Sequence, residues 1–117
     1  MNRLEVELDR PNGRPIVVAC LVGELDLATV ADAGPQVLAA AGDDALVVDL
    51  AGLTFLDSAA VHLLFRLVRR FQERGRRLAF VVPAESAASR VIEIIDLAAA
   101  APVLPTREEA LQLLAAS

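Results

Sequence analysis

Residues 45–50 read Ala-Leu-Val-Val-Asp-Leu, apolar at every position except Asp49. A strand with one wet face alternates apolar and polar residues, so a short run this continuous describes a strand covered on both faces. Such strands lie in the middle of sheets whose faces are packed by helices, which places the chain in the α/β class. With 117 residues, one domain spanning 1–117 can bury roughly two thirds of its unfolded surface without metal or disulfide support. Its core is aliphatic, because the 56% of hydrophobic residues include four Phe and neither Trp nor Tyr.

The flanking sequence supplies the other layers. Leu4-Glu5-Val6-Glu7-Leu8 alternates with period two and predicts an edge or near-edge strand. Asn12-Gly13 then predicts a tight hairpin, with Ile16–Val22 returning antiparallel as a more deeply buried strand. Asp26 is placed to cap a helix from Leu27 towards Ala41, which Gly34-Pro35 is expected to split into a short first piece and a restart near Pro35. After the central strand, Leu53 and Phe55 are expected to enter the core from a short apolar loop. Val61, Leu64, Phe65, Val68 and Phe71 then form one stripe, widened by Leu63 and Leu67, of a long amphipathic helix ending at Gly75. Leu78–Val82 is a further buried strand, Glu85–Leu97 a third helix, and Val103-Leu104 a very short strand between prolines. Thr106-Arg107-Glu108-Glu109 carries the capping box of a last helix. The expected order, β-β-α-β-α-β-α-(β)-α, gives a mixed sheet of four to five strands with about four helices, mostly on one side.

Several function classes lose support. The net charge of −5 and the missing Trp and Tyr argue against a nucleic-acid partner. The longest apolar runs fall far short of the roughly 20 residues of a membrane span, and no apolar signal region follows Met1-Asn2-Arg3, so a cytoplasmic protein is expected. Cys20 has no partner cysteine and reads as a buried small hydrophobe. One His and one Cys give no metal set of Cys/His spacing, and the scattered glycines match neither phosphate-binding pattern. No cofactor is expected. Arg66, Arg69, Arg70, Arg74, Arg76 and Arg77 lie close together, whereas Glu24, Asp26, Asp32, Asp43 and Asp44 cluster earlier. This asymmetry either steers a charged protein partner or is the solvated side of helices.

The chemistry-bearing stretch is Val47–Val61, VVDLAGLTFLDSAAV, which sets Asp57-Ser58 at a helix start. Asp57, Ser58 and His62 are the residue types of an acid, a nucleophile and a base. A nucleophile elbow, however, requires Gly-x-Ser-x-Gly, and here Leu56 and Ala60 flank the pair. Either Asp57 or Ser58 serves as the helix N-cap. The same geometry exposes a hydroxyl where a phosphate meets free amides and the positive end of the helix dipole, next to the like charge of Asp57.

The stretch Thr54-Phe55-Leu56-Asp57-Ser58-Ala59-Ala60-Val61, after a Val-Val-Asp-Leu strand, resembles the Asp-Ser-Ser-Gly-Leu signature of STAS domains, specifically bacterial anti-sigma factor antagonists. Gly23-Glu24-Leu25-Asp26 is similar to that family's Gly-Glu-Leu-Asp segment, and Arg90-Val91-Ile92-Glu93-Ile94 to its third-helix pattern. The resemblance implies that Ser58 is phosphorylated by an anti-sigma factor with serine kinase activity. It also implies that Glu24, Asp26, Asp57, Ser58, Ala59 and Ala60 belong to the partner-facing surface. Further, it implies that the unphosphorylated protein binds the anti-sigma factor and frees a sigma factor, that phosphorylation weakens this binding, and that a phosphatase reverses it. On this reading the protein is a substrate and a switch rather than an enzyme, and ATP and magnesium belong to the kinase. Ala59 stands in place of the second hydroxyl, Ala60 in place of Gly, and Asp96 in place of a late Gly that a left-handed cap position tolerates. An alternative within the same resemblance is a STAS binding or scaffold subunit of a transporter or stress complex, without modification of Ser58.

Overall fold

The computed structural model describes residues 3–116. Six strands form one sheet: β1 (Leu4–Asp9), β2 (Ile16–Leu25), β3 (Ala45–Asp49), β4 (Leu53–Leu56), β5 (Leu78–Val81) and β6 (Val103–Leu104). The helices are α1 (Val30–Ala41), α2 (Ser58–Glu73), α3 (Ser89–Ile94) and α4 (Arg107–Ala115). The main path is β1-β2-β3-β5-β6, with β1 antiparallel to β2 and the other pairs parallel. β1 is thus an edge strand, as its alternation predicts. The β1–β2 connection is a single 3-10 turn over Pro11–Gly13 rather than a two-residue Asn-Gly hairpin.

All five residues of β3 are buried, because the two faces of the sheet carry separate cores. Val17, Ala19, Leu46, Val48 and Phe80 pack in the cluster that includes buried residues of α1, α2 and α3. Ile16, Val18, Val47 and Val81 pack with Ala110 and Leu114 of α4 on the other side. Three helices on one face and one on the opposite face match the layout expected from the sequence.

β4 is a strand where the sequence predicts a loop. It runs parallel to β2 on the edge that β3 leaves free, pairing Leu53 with Gly23, then Phe55 with Glu24 and Leu56 with Leu25. Thr54 is the extra residue of this irregular register, so Leu53 and Leu56 both reach the core although three positions apart. Its hydroxyl donates to the Gly23 carbonyl at 3.1 Å. The bulge also overturns the expectation for Phe55, which is 49% exposed rather than buried.

α1 is one continuous helix from Val30, not two pieces; Thr29 before it makes no side-chain cap bond, and Asp26 caps the turn from Leu27 that leads into it, as expected, its Oδ1 accepting from the Ala28 and Thr29 amides. Pro35 lies within it on the exposed side, as does Ala31, whose carbonyl the missing Pro35 amide leaves free and which water can satisfy. Ala33, Val37 and Ala41 keep the buried stripe intact. α3 is shorter than expected: Glu85 adopts a φ of 66°, and the helix begins only at Ser89. It is followed by Asp96 in the left-handed conformation (φ 55°, ψ 46°), the role its sequence position implies.

At α4 the Thr106 hydroxyl accepts from the Glu109 amide at 3.1 Å and donates to the Glu109 carboxylate at 2.8 Å. The Glu carboxylate therefore meets the cap hydroxyl, a variation on the capping box in which it returns to the cap's amide. Asp49, only 5% exposed, accepts from Arg107 Nε and Nη2 at 3.1 and 2.9 Å on Oδ2 and from the Ala51 amide at 2.9 Å on Oδ1. This explains the single charge in the central run. Cys20, next to this pair, is half-buried rather than buried, and burial, then the Asp49 charge, pushes its thiol pKa up.

Candidate functional site

The C-terminal ends of β2 and β4 meet the start of α2 at one corner. The Asp57 amide donates to the Leu25 carbonyl at 3.3 Å, continuing the parallel ladder by one bond before the helix begins. Asp57 then divides its carboxylate between two jobs. Oδ1 accepts from the Ala60 amide at 3.1 Å, making Asp57 the N-cap of α2, and Oδ2 accepts from the Leu27 amide at 3.1 Å, thirty residues earlier. Because Asp57 caps, Ser58 is the first helical residue. It is exposed, and its hydroxyl forms no hydrogen bond among the described residues.

The loop from Asp26 to Thr29 is organised from within. Asp26 is 5% exposed, and its Oδ1 accepts from the amides of Ala28 and Thr29 at 3.0 and 3.1 Å. The Thr29 hydroxyl accepts from the Asp26 amide at 3.0 Å and donates to the Glu24 carbonyl at 2.9 Å. Glu24 is held to the chain start, its carboxylate accepting from the Arg3 amide at 3.2 Å. Asp26 is therefore a structural group of the loop, with Asp57 tying that loop to the helix.

These elements enclose an open depression of about 540 Å³ lined by Glu24, Asp26, Leu27, Ala28, Phe55 and Asp57. Three carboxyl side chains give it negative potential, while Leu27, 77% exposed, and Phe55, 49% exposed, give it apolar contact area. Nothing in the sequence marks Leu27 or Phe55 as exposed at this surface. Leu27 carries no periodic signal, and the Thr54 bulge hides the direction of Phe55. Of the expected partner-facing residues, Glu24, Asp26 and Asp57 line the depression, and Ser58, exposed and next in sequence to Asp57, is not part of the lining. Ala59 is half-buried. Ala60 is fully buried, so its methyl group faces the core and not this surface. His62 is exposed on the side of α2 that carries Arg66, Arg69 and Arg70. Among the described residues no group of three His, Cys, Asp or Glu is arranged to hold a metal ion, and no helix is long and apolar enough to cross a membrane.

Comparison with known proteins agrees with this architecture. The sequence model of the family described as "Mlab, STAS domain" matches residues 8–106. The crystal structure of an anti-sigma factor antagonist from Mycobacterium paratuberculosis superposes with a TM-score of 0.79 at 25% identity, covering 97% of this chain and 95% of that one. The phosphorylated form of the Bacillus cell fate determinant SpoIIAA gives 0.65 at 25% identity, over 92% and 97% of the two chains. An anti-sigma-factor antagonist (STAS) domain protein from Planctomyces limnophilus, at 21% identity, shares the fold with a TM-score of 0.76 over 94% and 97%. No curated protein sequence matches the chain. The six-stranded mixed sheet, the four helices and the family match over residues 8–106 together show that the chain belongs to the STAS domain family, with anti-sigma factor antagonists among its structural relatives.

Proposed function

We propose that the chain, as one STAS domain over residues 1–117, is an anti-sigma factor antagonist that acts in the cytoplasm and is switched at Ser58. The observation that carries this reading is the division of labour at the corner: Asp57 takes the cap, which leaves the Ser58 hydroxyl exposed and unengaged beside an apolar and acidic depression. The likeness to SpoIIAA in its phosphorylated form supports modification of this domain type. Unphosphorylated, the protein binds a kinase-type anti-sigma factor through Leu27, Phe55 and the carboxylates of Glu24, Asp26 and Asp57, and so releases a sigma factor. A phosphoryl group on Ser58 adds a charge of about −1.5 to −2 next to Asp57 and would have to be desolvated within an apolar contact, which weakens binding. A phosphatase restores the binding-competent form.

The test is incubation with a kinase-type anti-sigma factor and ATP, followed by intact-mass measurement of wild type and Ser58→Ala. One phosphate on wild type and none on the variant is expected. No gain on wild type, or equal gain on both, rejects Ser58 as acceptor.

Ala59, in place of a second hydroxyl, favours a second reading, in which the same surface is a permanent docking site in a transporter or stress complex. That reading expects tight binding of a non-kinase partner and no phosphate under any of these conditions.

A further inference from the structure

A second concave site lies at the far end of α2 from Ser58. β6 is two residues long and meets β5 only at Phe80 and Val81, so the start of β5 at Leu78, paired with β3 on its other edge, has no strand beside it on the β6 side. The amides of Phe80 and Val82 donate to Pro102 and Leu104, and residues two apart in a strand face the same way, so the Leu78 amide is directed into the notch left by β6. Phe71 of α2 closes the notch on one side, Ala101 on another, and Leu113 and Leu114 of α4 below, leaving a cavity of about 320 Å³. That volume is at the lower end of the range for small-ligand pockets, roughly 300–1,000 Å³.

The lining is apolar, but two cations stand over it. Arg76 lies across the Phe71 ring, 4.6 Å from its centroid, with Nη2 donating to the Asp44 carbonyl at 2.7 Å. Its Nε is buried without a hydrogen-bond partner. Arg77 also lines the cavity and is exposed. Neither guanidinium is ion-paired to a carboxylate among the described residues. An apolar slot with unpaired guanidinium groups at its edge is complementary to a molecule with an alkyl chain and an anionic head. We infer that this notch binds one alkyl chain of an anionic amphiphile, the chain lying against Phe71, Leu78 and Leu114 and the carboxylate or phosphate head on Arg76 and Arg77.

The experiment is an amide NMR titration of the full chain with sodium decanoate below its micellisation concentration. Saturable shifts confined to the notch, at Phe71, Gln72, Leu78, Ala101 and Leu113, are expected. Arg77→Glu should weaken binding at least about fivefold, and decyltrimethylammonium, with the same chain and the opposite charge, should not saturate the site. Ala101→Phe should fill the notch and abolish the shifts; if that variant does not fold, the exposed Arg77→Glu still decides. Co-sedimentation with phosphatidylglycerol vesicles separates the two sources of such a ligand: sedimentation lost in Arg77→Glu identifies bilayer lipid, and its absence alongside decanoate binding identifies a free amphiphile. Shifts scattered over the surface, or equal responses to the anionic and cationic probes, overturn the proposal.

Discussion

Asp57 Oδ2 accepts from the Leu27 amide at 3.1 Å, so the side chain that caps α2 also anchors the loop following β2. Two amides, of Leu27 and Ala60, thirty-three residues apart, depend on one carboxylate. Replacing Asp57 with Ala should cost about 1–3 kcal/mol in urea unfolding, more than an ordinary cap, because both amides lose a charged acceptor. Asp57→Asn keeps one carbonyl acceptor and should lose less. Equal stability of wild type and Asp57→Ala would show that the bonds contribute nothing.

Gly23 sits at the irregular pairing of β2 with β4, with a φ of 117°, and a Cβ there would collide with the Arg3 carbonyl oxygen. Gly23→Ala should therefore destabilise the protein by about 2 kcal/mol or more, through backbone strain and through displacement of β1 from β2. Thermal unfolding measures the loss, and an unchanged midpoint would contradict it.

Arg107 places two donors on the buried carboxylate of Asp49, and that hydrogen bonding raises the guanidinium pKa further. Its side chain is 41% exposed, which screens the pair. Arg107→Ala should cost about 1–2 kcal/mol, and Arg107→Lys should recover part of this by keeping the charge without the paired donors.

The Cys20 thiol predicts a pH dependence. Burial and Asp49 raise its pKa above the ordinary 9.0, so the unfolded chain ionises before the folded one. Stability from the neutral thiol is present below the ordinary value and is lost as pH climbs through the raised one. The stability difference between wild type and Cys20→Ala should therefore shift against wild type as the pH passes from about 8 to above 10. A pH-independent difference in urea midpoints would contradict this.

Much of this was legible because it rests on local rules. The α2 cap within the Asp57-Ser58 pair, the cap at Thr106, the left-handed Asp96 and the doubly buried β3 each follow from residue types at fixed spacing, and the structure assigns the first to Asp57. What was hidden depends on pairing between distant residues. β4 carries its buried residues at 53 and 56, which breaks the period of two, and only the register with Gly23 and Glu24 reveals Thr54 as the extra residue. The same extra residue turns Phe55 outward, against the core position the sequence predicts. Pro35 was given the weight of a helix break because the sequence does not show that Ala31, four residues before it, faces water. At the site, Ser58 and Asp57 were legible and Leu27 was not, since its exposure is set by the loop that Asp26 and Thr29 fold.

Leu27 and Phe55 should behave differently from core residues. Because both side chains are exposed, Leu27→Ala and Phe55→Ala should leave stability within about 0.5 kcal/mol of wild type. On the proposed reading each lowers affinity for the anti-sigma factor by about 1 kcal/mol or more, as apolar interface residues do. Unchanged affinity for both would move the docking surface elsewhere.

The most direct measurement of the central claim is calorimetric titration of a kinase-type anti-sigma factor with unmodified protein, with protein phosphorylated at Ser58, and with Ser58→Glu. The account predicts binding by the unmodified chain and affinity at least about tenfold weaker for the phosphorylated form, with Ser58→Glu between them. Equal affinity of the unmodified and phosphorylated proteins would contradict it.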